Sequence, residues 1–128
     1  AAYFRSLGVM NKEKAIAKIE QALATVEAQV ITPPGRSYAE FVQELSSRLL
    51  ACVIDPVEVQ VTSTCAPDGD FERYRKAKVW GIAREKNIGN WLLTPEGSNE
   101  FALGFGEDPM NIMMHGFSSD DALGEWCA

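Results

Sequence analysis

The sequence predicts an α+β fold in which two N-terminal helices are followed by an antiparallel meander of four to five strands and a short C-terminal helix. The helices are expected to pack together on one face of the sheet. Apolar residues recur every three to four positions before residue 55 and alternate with polar residues from residue 57 onward, and Pro- and Gly-containing turns separate the later apolar runs.

The chain has the length and composition of one globular domain. Its 128 residues are 46% hydrophobic and 23% charged, which argues against disorder. Because no linker or repeat interrupts the pattern, we expect a single domain over residues 10–128. Residues 1–9 precede "MNKEKA", which resembles a natural start, and are expected to be a non-native or disordered segment.

The first helix is predicted from Asn11, whose side chain is suited to cap the helix N-terminus. The segment "ITPPGR" ends this helix because proline cannot donate a backbone hydrogen bond. Residues at spacings of three and four form its apolar stripe: Ile16, Ile19, Leu23, Val26 and Val30.

The second helix is predicted from Ser37 and Glu40, which have the spacing of a capping box. Asp55-Pro56 is expected to end it. Its predicted apolar face consists of Tyr38, Phe41, Val42, Leu45, Leu49 and Cys52.

The strands follow from alternation. Val57, Val59 and Val61 predict a half-buried strand, and residues 71–86 predict a longer one after the turn "APDGD". Residues 91–94 and 101–105 predict two more, and "NIMMHGF" is a candidate fifth. The final helix is predicted from the capping-box spacing of Ser118 and Asp121.

Charge is distributed unevenly along the chain. The net charge is −6, yet residues 71–86 hold six of the twelve basic residues and only two acids. Residues 87–128 hold seven acids and neither Lys nor Arg. Each half of this asymmetry is a candidate interaction surface.

The basic segment has two interpretations. Its charges either keep an exposed strand edge soluble, paired with Glu58 or with acids in residues 96–108, or they contact a partner. The candidate contact residues are Arg73, Tyr74, Arg75, Lys76 and Lys78.

The acidic third predicts a second surface, since a concentration of negative charge accelerates encounter with a basic protein. Either a protein partner or self-association, with the basic strand of one copy against the acids of another, accounts for the two surfaces. The overall acidity disfavours nucleic acid, and no apolar run suggests a membrane partner. The candidate acids are Glu107, Asp108, Asp120, Asp121 and Glu125.

Large side chains give an alternative: a pocket between the sheet and the helices that admits a small apolar molecule. Its expected lining is Trp80, Trp91, Met114 and His115.

Catalytic and metal chemistry has little support in the sequence. There is one histidine, no recognised catalytic signature and no C-x-x-C pair, so we expect neither a metal nor another cofactor and favour a non-enzyme. Cys52, Cys65 and Cys127 are widely spaced and odd in number, which favours reduced thiols in a cytoplasmic protein. The sequence therefore predicts a small acidic binding protein of the inhibitor, immunity or adaptor type.

Overall fold

The computed structural model describes residues 9–66 and 69–128, so the expectation for residues 1–9 lies almost wholly outside the described residues. The described part is α+β, with four helices and a six-stranded, mostly antiparallel sheet. The helices are α1 (Lys12–Thr25), α2 (Tyr38–Ala51), α3 (Phe71–Lys76) and α4 (Ala122–Trp126). The strands are β1 (Val53–Val59), β2 (Val61–Thr64), β3 (Val79–Glu85), β4 (Asn90–Pro95), β5 (Phe101–Phe105) and β6 (Ile112–Ser119).

Side-chain caps begin the two long helices as the sequence predicts. The Asn11 side chain accepts a hydrogen bond from the Lys14 backbone N–H at 2.9 Å, and the Ser37 hydroxyl accepts one from Glu40 at 3.3 Å. Each cap satisfies a backbone donor that has no partner inside the helix. Helix α1 ends at Thr25, earlier than the expected Val30, and the backbone is extended at Val26.

The sheet is a meander closed by one bent strand. Strands β3, β4, β5 and β6 are neighbours in chain order, and β1 and β2 lie at the two edges. β1 is antiparallel to β3, whereas β2 is parallel to β6. Since these two edge strands are separated only by Gln60, the sheet must curve strongly enough to bring its edges together.

The curved sheet has an apolar core on each face. Helices α1, α2 and α4 cover one face, where Ile19, Leu49 and Leu123 pack against Ile82 and Leu92. We call the other core the inner core. Its buried residues are Val59, Val61, Tyr74, Val79, Trp91, Leu93, Ala102, Ile112 and Met114.

Glycine admits a large ring into the inner core. A Cβ added at Gly81 would lie 2.6 Å from the Trp91 ring and 3.2 Å from Val59. The bare backbone of β3 therefore makes room for the indole, and the register between β3 and β4 shifts just after Gly81.

The predicted strand over residues 71–86 is wrong in its first half. Residues 71–76 form α3, which buries Tyr74 and partly buries Phe71, and β3 begins only at Val79. Phe71 and Tyr74 are three residues apart and therefore share a helix face. Arg75 lies three residues after Glu72 and pairs with it, which is also helical spacing.

Three further features differ from expectation: the start of β1, the number of strands and the cap of α4. Strand β1 begins at Val53 and runs through Asp55-Pro56, because an edge strand tolerates proline. The sheet has six strands instead of four to five, since β1 and β2 divide the segment expected as one. Ser118 belongs to β6, and Asp121 alone caps α4 through the backbone N–H of Gly124.

Candidate functional site

The cations of α3 and the following turn are paired within the protein. Arg73 donates to Glu100 and Asp70, with Nη1–Oε2 and Nη2–Oδ1 distances of 2.5 and 2.9 Å. Arg75 and Lys76 both approach Glu72, at 2.8 and 3.9 Å.

Lys78 extends the same arrangement. Its ammonium group lies 4.0 Å from Glu58 and 3.7 Å from Glu96, and it sits 5.2 Å from the centre of the Trp80 ring. These neighbours include the acids that the sequence proposed as partners of the basic segment. We call these four cations the basic patch: Arg73, Arg75, Lys76 and Lys78. The ion pairs compensate much of its positive charge.

Tyr74 does not belong to that surface. Its side chain is 0% exposed, so the expectation that it contacts a partner is wrong. Its hydroxyl is buried without a hydrogen bond of ordinary geometry to a described residue. Burial raises the pKa of Tyr74 well above its usual value, despite a smaller opposite effect from nearby Ser118.

The expected pocket of Trp80, Trp91, Met114 and His115 is not formed. Trp80 packs against the helix-covered core, whereas Trp91 and Met114 are buried in the inner core on the opposite sheet face. His115 is exposed on β6. Because the alternation of a strand sends neighbouring side chains to opposite faces, these residues cannot line one cavity.

The five candidate acids fall into two groups. Glu107 and Asp108 precede β6, and Asp108 accepts the backbone N–H of Met110 in the turn. Asp120, Asp121 and Glu125 follow β6. The eight residues of β6 span about 25 Å, so the two groups do not form one surface.

Four carboxylates line one concave site at the C-terminal end of β6. Glu27, Asp120, Asp121 and Glu125 surround a cavity of about 450 Å³, which we call the acidic cavity. No lysine or arginine is among its lining residues in the part of the chain that the structure describes. Lys18 lines an adjacent cavity that shares Val26 and Asp120 with it, but no ion pair within 4.0 Å joins Lys18 to Asp120.

Asp121 fixes the shape of the acidic cavity. One carboxylate oxygen accepts the backbone N–H of Gly124 at 2.8 Å, and the other accepts that of Gln29 at 2.7 Å. The side chain therefore caps α4 and ties it to the segment after α1. Since both oxygens are occupied and the residue is 8% exposed, Asp121 positions the site and offers little to a partner.

Glu125 is held in the acidic cavity at an electrostatic cost. Its Oε2 accepts the Ser119 hydroxyl at 2.7 Å. Burial, and to a smaller extent the negative charge of Asp121, raise the pKa of Glu125 despite that hydrogen bond. A cation from outside the chain would stabilise its ionised form.

An exposed apolar strip leads along β6 to the acidic cavity. Alternation buries Ile112 and Met114, while the side chains of Met113 and Phe117 on the other face are 38% and 57% exposed. Ser119 follows on that same exposed face and lines the cavity. The strip and the cavity therefore form one continuous feature, an apolar surface with an acidic end.

His115 lies within this strip without catalytic geometry. Its ring makes an edge contact with Phe105, with ring centroids 6.4 Å apart. No thiol or carboxylate of the described residues hydrogen-bonds to it, and Cys65 instead lies 3.8 Å from the Met113 sulfur. Within residues 9–66 and 69–128, no three His, Cys, Asp or Glu side chains are grouped to hold a metal ion.

Sequence reasoning missed Glu27 and Phe117. Glu27 lies just past α1, 93 positions before Asp120, and only the packing of α1 against α4 brings the two together. Phe117 carried a detectable signal, because it alternates with Ile112, Met114 and Gly116 and must face away from the inner core.

Comparison with known proteins adds no relative: no family model, curated protein or solved structure matches this chain. Within the described residues, no helix has both the length and the apolar character needed to span a membrane.

Proposed function

We propose that this protein is a non-enzymatic binding protein whose acidic cavity and adjoining β6 strip dock a basic protein partner. The observation that carries the proposal is the set of four carboxylates lining one concavity, whose lining includes no lysine or arginine among the described residues. Such a site attracts an Arg or Lys side chain and increases the rate of encounter.

The ion pairs of the basic patch favour the acidic cavity over the patch as the surface that binds a partner. Arg73 is held by Asp70 and Glu100, so its guanidinium has little free capacity for an acidic partner. Asp120, by contrast, is exposed and forms no ion pair within 4.0 Å with a described residue. The basic patch is therefore assigned to stability and the acidic cavity to recognition.

The exposed apolar strip supplies the second component that protein interfaces need. Interfaces commonly combine a desolvated aromatic anchor with a polar rim. Phe117 is 57% exposed and lies three residues before Asp120. A partner segment with an apolar side chain followed by a basic one fits this arrangement.

The proposed location is cytoplasmic. Cys52, Cys65 and Cys127 are free thiols, as expected in a reducing compartment. The partner is a different protein; self-association is the competing outcome, and light scattering at low and high salt distinguishes the two.

The test is a nuclease-treated pull-down from the source cells with matched charge variants. Glu27→Gln with Asp120→Asn neutralises the acidic cavity, and Glu13→Gln with Glu20→Gln makes the same charge change on exposed α1 positions. We expect a basic protein to bind wild type and the α1 variant and to be lost, about five- to thirtyfold, from the cavity variant. Equal capture by both variants, or capture of an acidic protein only, would contradict the proposal.

A further inference from the structure

A second cavity opens between the end of α2, helix α4 and the end of the sheet at the β3–β4 turn, and it shares only Ala128 with the acidic cavity. Its volume is about 380 Å³, which is within the range of small-molecule sites. Apolar and aromatic side chains supply much of its wall: Leu45, Leu103, Phe105 and Trp126.

Asn90 lines this cavity and has an unsatisfied side-chain acceptor. The residue is 7% exposed, it is among those that line the cavity, and its Oδ1 is buried without a hydrogen bond from any described residue. A buried amide oxygen without a donor is unfavourable. A ligand that supplied an N–H or O–H at this position would remove that cost.

The charged side chains of the cavity have partners within the protein, although those of Glu85 are neutral. Glu85 accepts the Asn87 backbone N–H at 3.2 Å and has the Cys52 thiol 3.8 Å from its other oxygen. Arg48 pairs with Glu44 at 2.7 Å. Burial raises the pKa of the Cys52 and Cys127 thiols, so both stay neutral at neutral pH.

We propose that this cavity binds a small heteroaromatic molecule without negative charge, whose ring N–H donates to Asn90 Oδ1. The ring lies between Phe105 and Trp126, where a planar apolar body is favoured. The free acceptor selects for a donor, and the Glu85 carboxylate, which has no lysine or arginine of the described residues within 4.0 Å, selects against an anionic group. This site is independent of the proposed protein interface.

The experiment compares ligands that differ only in the donor. Indole and 2-quinolone are titrated against the full chain, with 1-methylindole and 1-methyl-2-quinolone as controls, and binding is followed by ¹H–¹⁵N NMR of the Trp126 indole and Asn90 side-chain amides. We expect at least one N–H compound to saturate these signals and to bind at least fivefold more tightly than its methylated partner. If neither N–H compound saturates them below its solubility limit, the cavity binds no such ligand, and if methylation has no effect, Asn90 does not select for the donor. Either result overturns the proposal.

Substitution at Asn90 provides the second measurement. Asn90→Leu removes the acceptor at similar size and is expected to abolish the preference for the N–H compound, whereas Asn99→Leu, at an exposed position in a different cavity, preserves it. Folding of each variant is checked by circular dichroism. If Asn90→Leu does not fold, the comparison of each N–H compound with its methylated partner on wild type still tests the proposal. If folded Asn90→Leu keeps the preference for the N–H compound, Asn90 is not the acceptor.

Discussion

Val59 and Val61 are separated by one residue in the chain, yet they pair with strands from the two ends of the meander. Val59 is paired with Val79 of β3 and Val61 with Ile112 of β6. Both side chains are buried in the inner core. The segment from β1 to β2 is thus one bent strand that joins the edges of the sheet.

Gln60 is expected to hold this junction. Its backbone N–H donates to the Pro109 carbonyl at 2.8 Å, and its side chain donates to the carbonyls of Val61 and Arg75 at 3.1 Å. Gln60→Pro removes all three hydrogen bonds and should lower the free energy of unfolding by about 2–4 kcal/mol. Gln60→Ala removes only those of the side chain and should cost about 1 kcal/mol. Urea unfolding measures both, and equal stabilities would argue against the backbone junction.

We expect each cation of the basic patch to stabilise the fold according to the number of carboxylates it contacts. Arg73 contacts two carboxylates but is 46% exposed, so Arg73→Met should cost only about 1 kcal/mol. Lys76 makes one long ion pair, and Lys76→Met should change stability by less than about 0.5 kcal/mol. The difference should shrink in 0.5 M salt because salt screens exposed charges. Unfolding at two salt concentrations checks this order, which a larger effect at Lys76 would reverse.

The ionised Glu125 side chain is expected to be destabilising at neutral pH. Burial and Asp121 raise the folded-state pKa of Glu125, so the folded protein gains stability when Glu125 is protonated and loses it as pH rises through that pKa. Glu125→Gln still accepts the Ser119 hydroxyl and should be more stable than wild type at pH 7, by less than about 1 kcal/mol. The gain should disappear toward pH 4. Thermal unfolding across pH tests this, and a variant less stable than wild type at pH 7 would contradict it.

The three thiols are expected to react at different rates. Cys65 and Cys127 are exposed residues and Cys52 is half-buried. Burial and Glu85 raise the pKa of Cys52, and partial burial of the sulfur together with the charge of Asp121 raises that of Cys127. Because the thiolate is the reacting form, iodoacetamide at pH 7.5 should modify Cys65 first. Glu85→Gln should accelerate Cys52 without affecting Cys65. Peptide mass spectrometry gives the rates, and fastest modification at Cys52 would refute this account.

Local patterns predicted the helices and the meander because periodicity and caps report local structure. They misassigned residues 71–76, where dense charge obscured the helical spacing of Phe71 and Tyr74. The closing bend at Gln60 depends on pairing with β6, some fifty residues later, which no local signal reports. The same limit applies to the acidic cavity: Asp120 and Glu125 were predicted, but Glu27 joins them only through packing.

The central claim is that recognition occurs at the acidic cavity and not at the basic patch. Hydrogen–deuterium exchange of the complex with the captured partner tests it most directly. We predict slower exchange in residues 26–29 and 117–125 on binding, with residues 71–78 unchanged. Slower exchange confined to residues 71–78 would contradict the account and make the basic patch the binding surface.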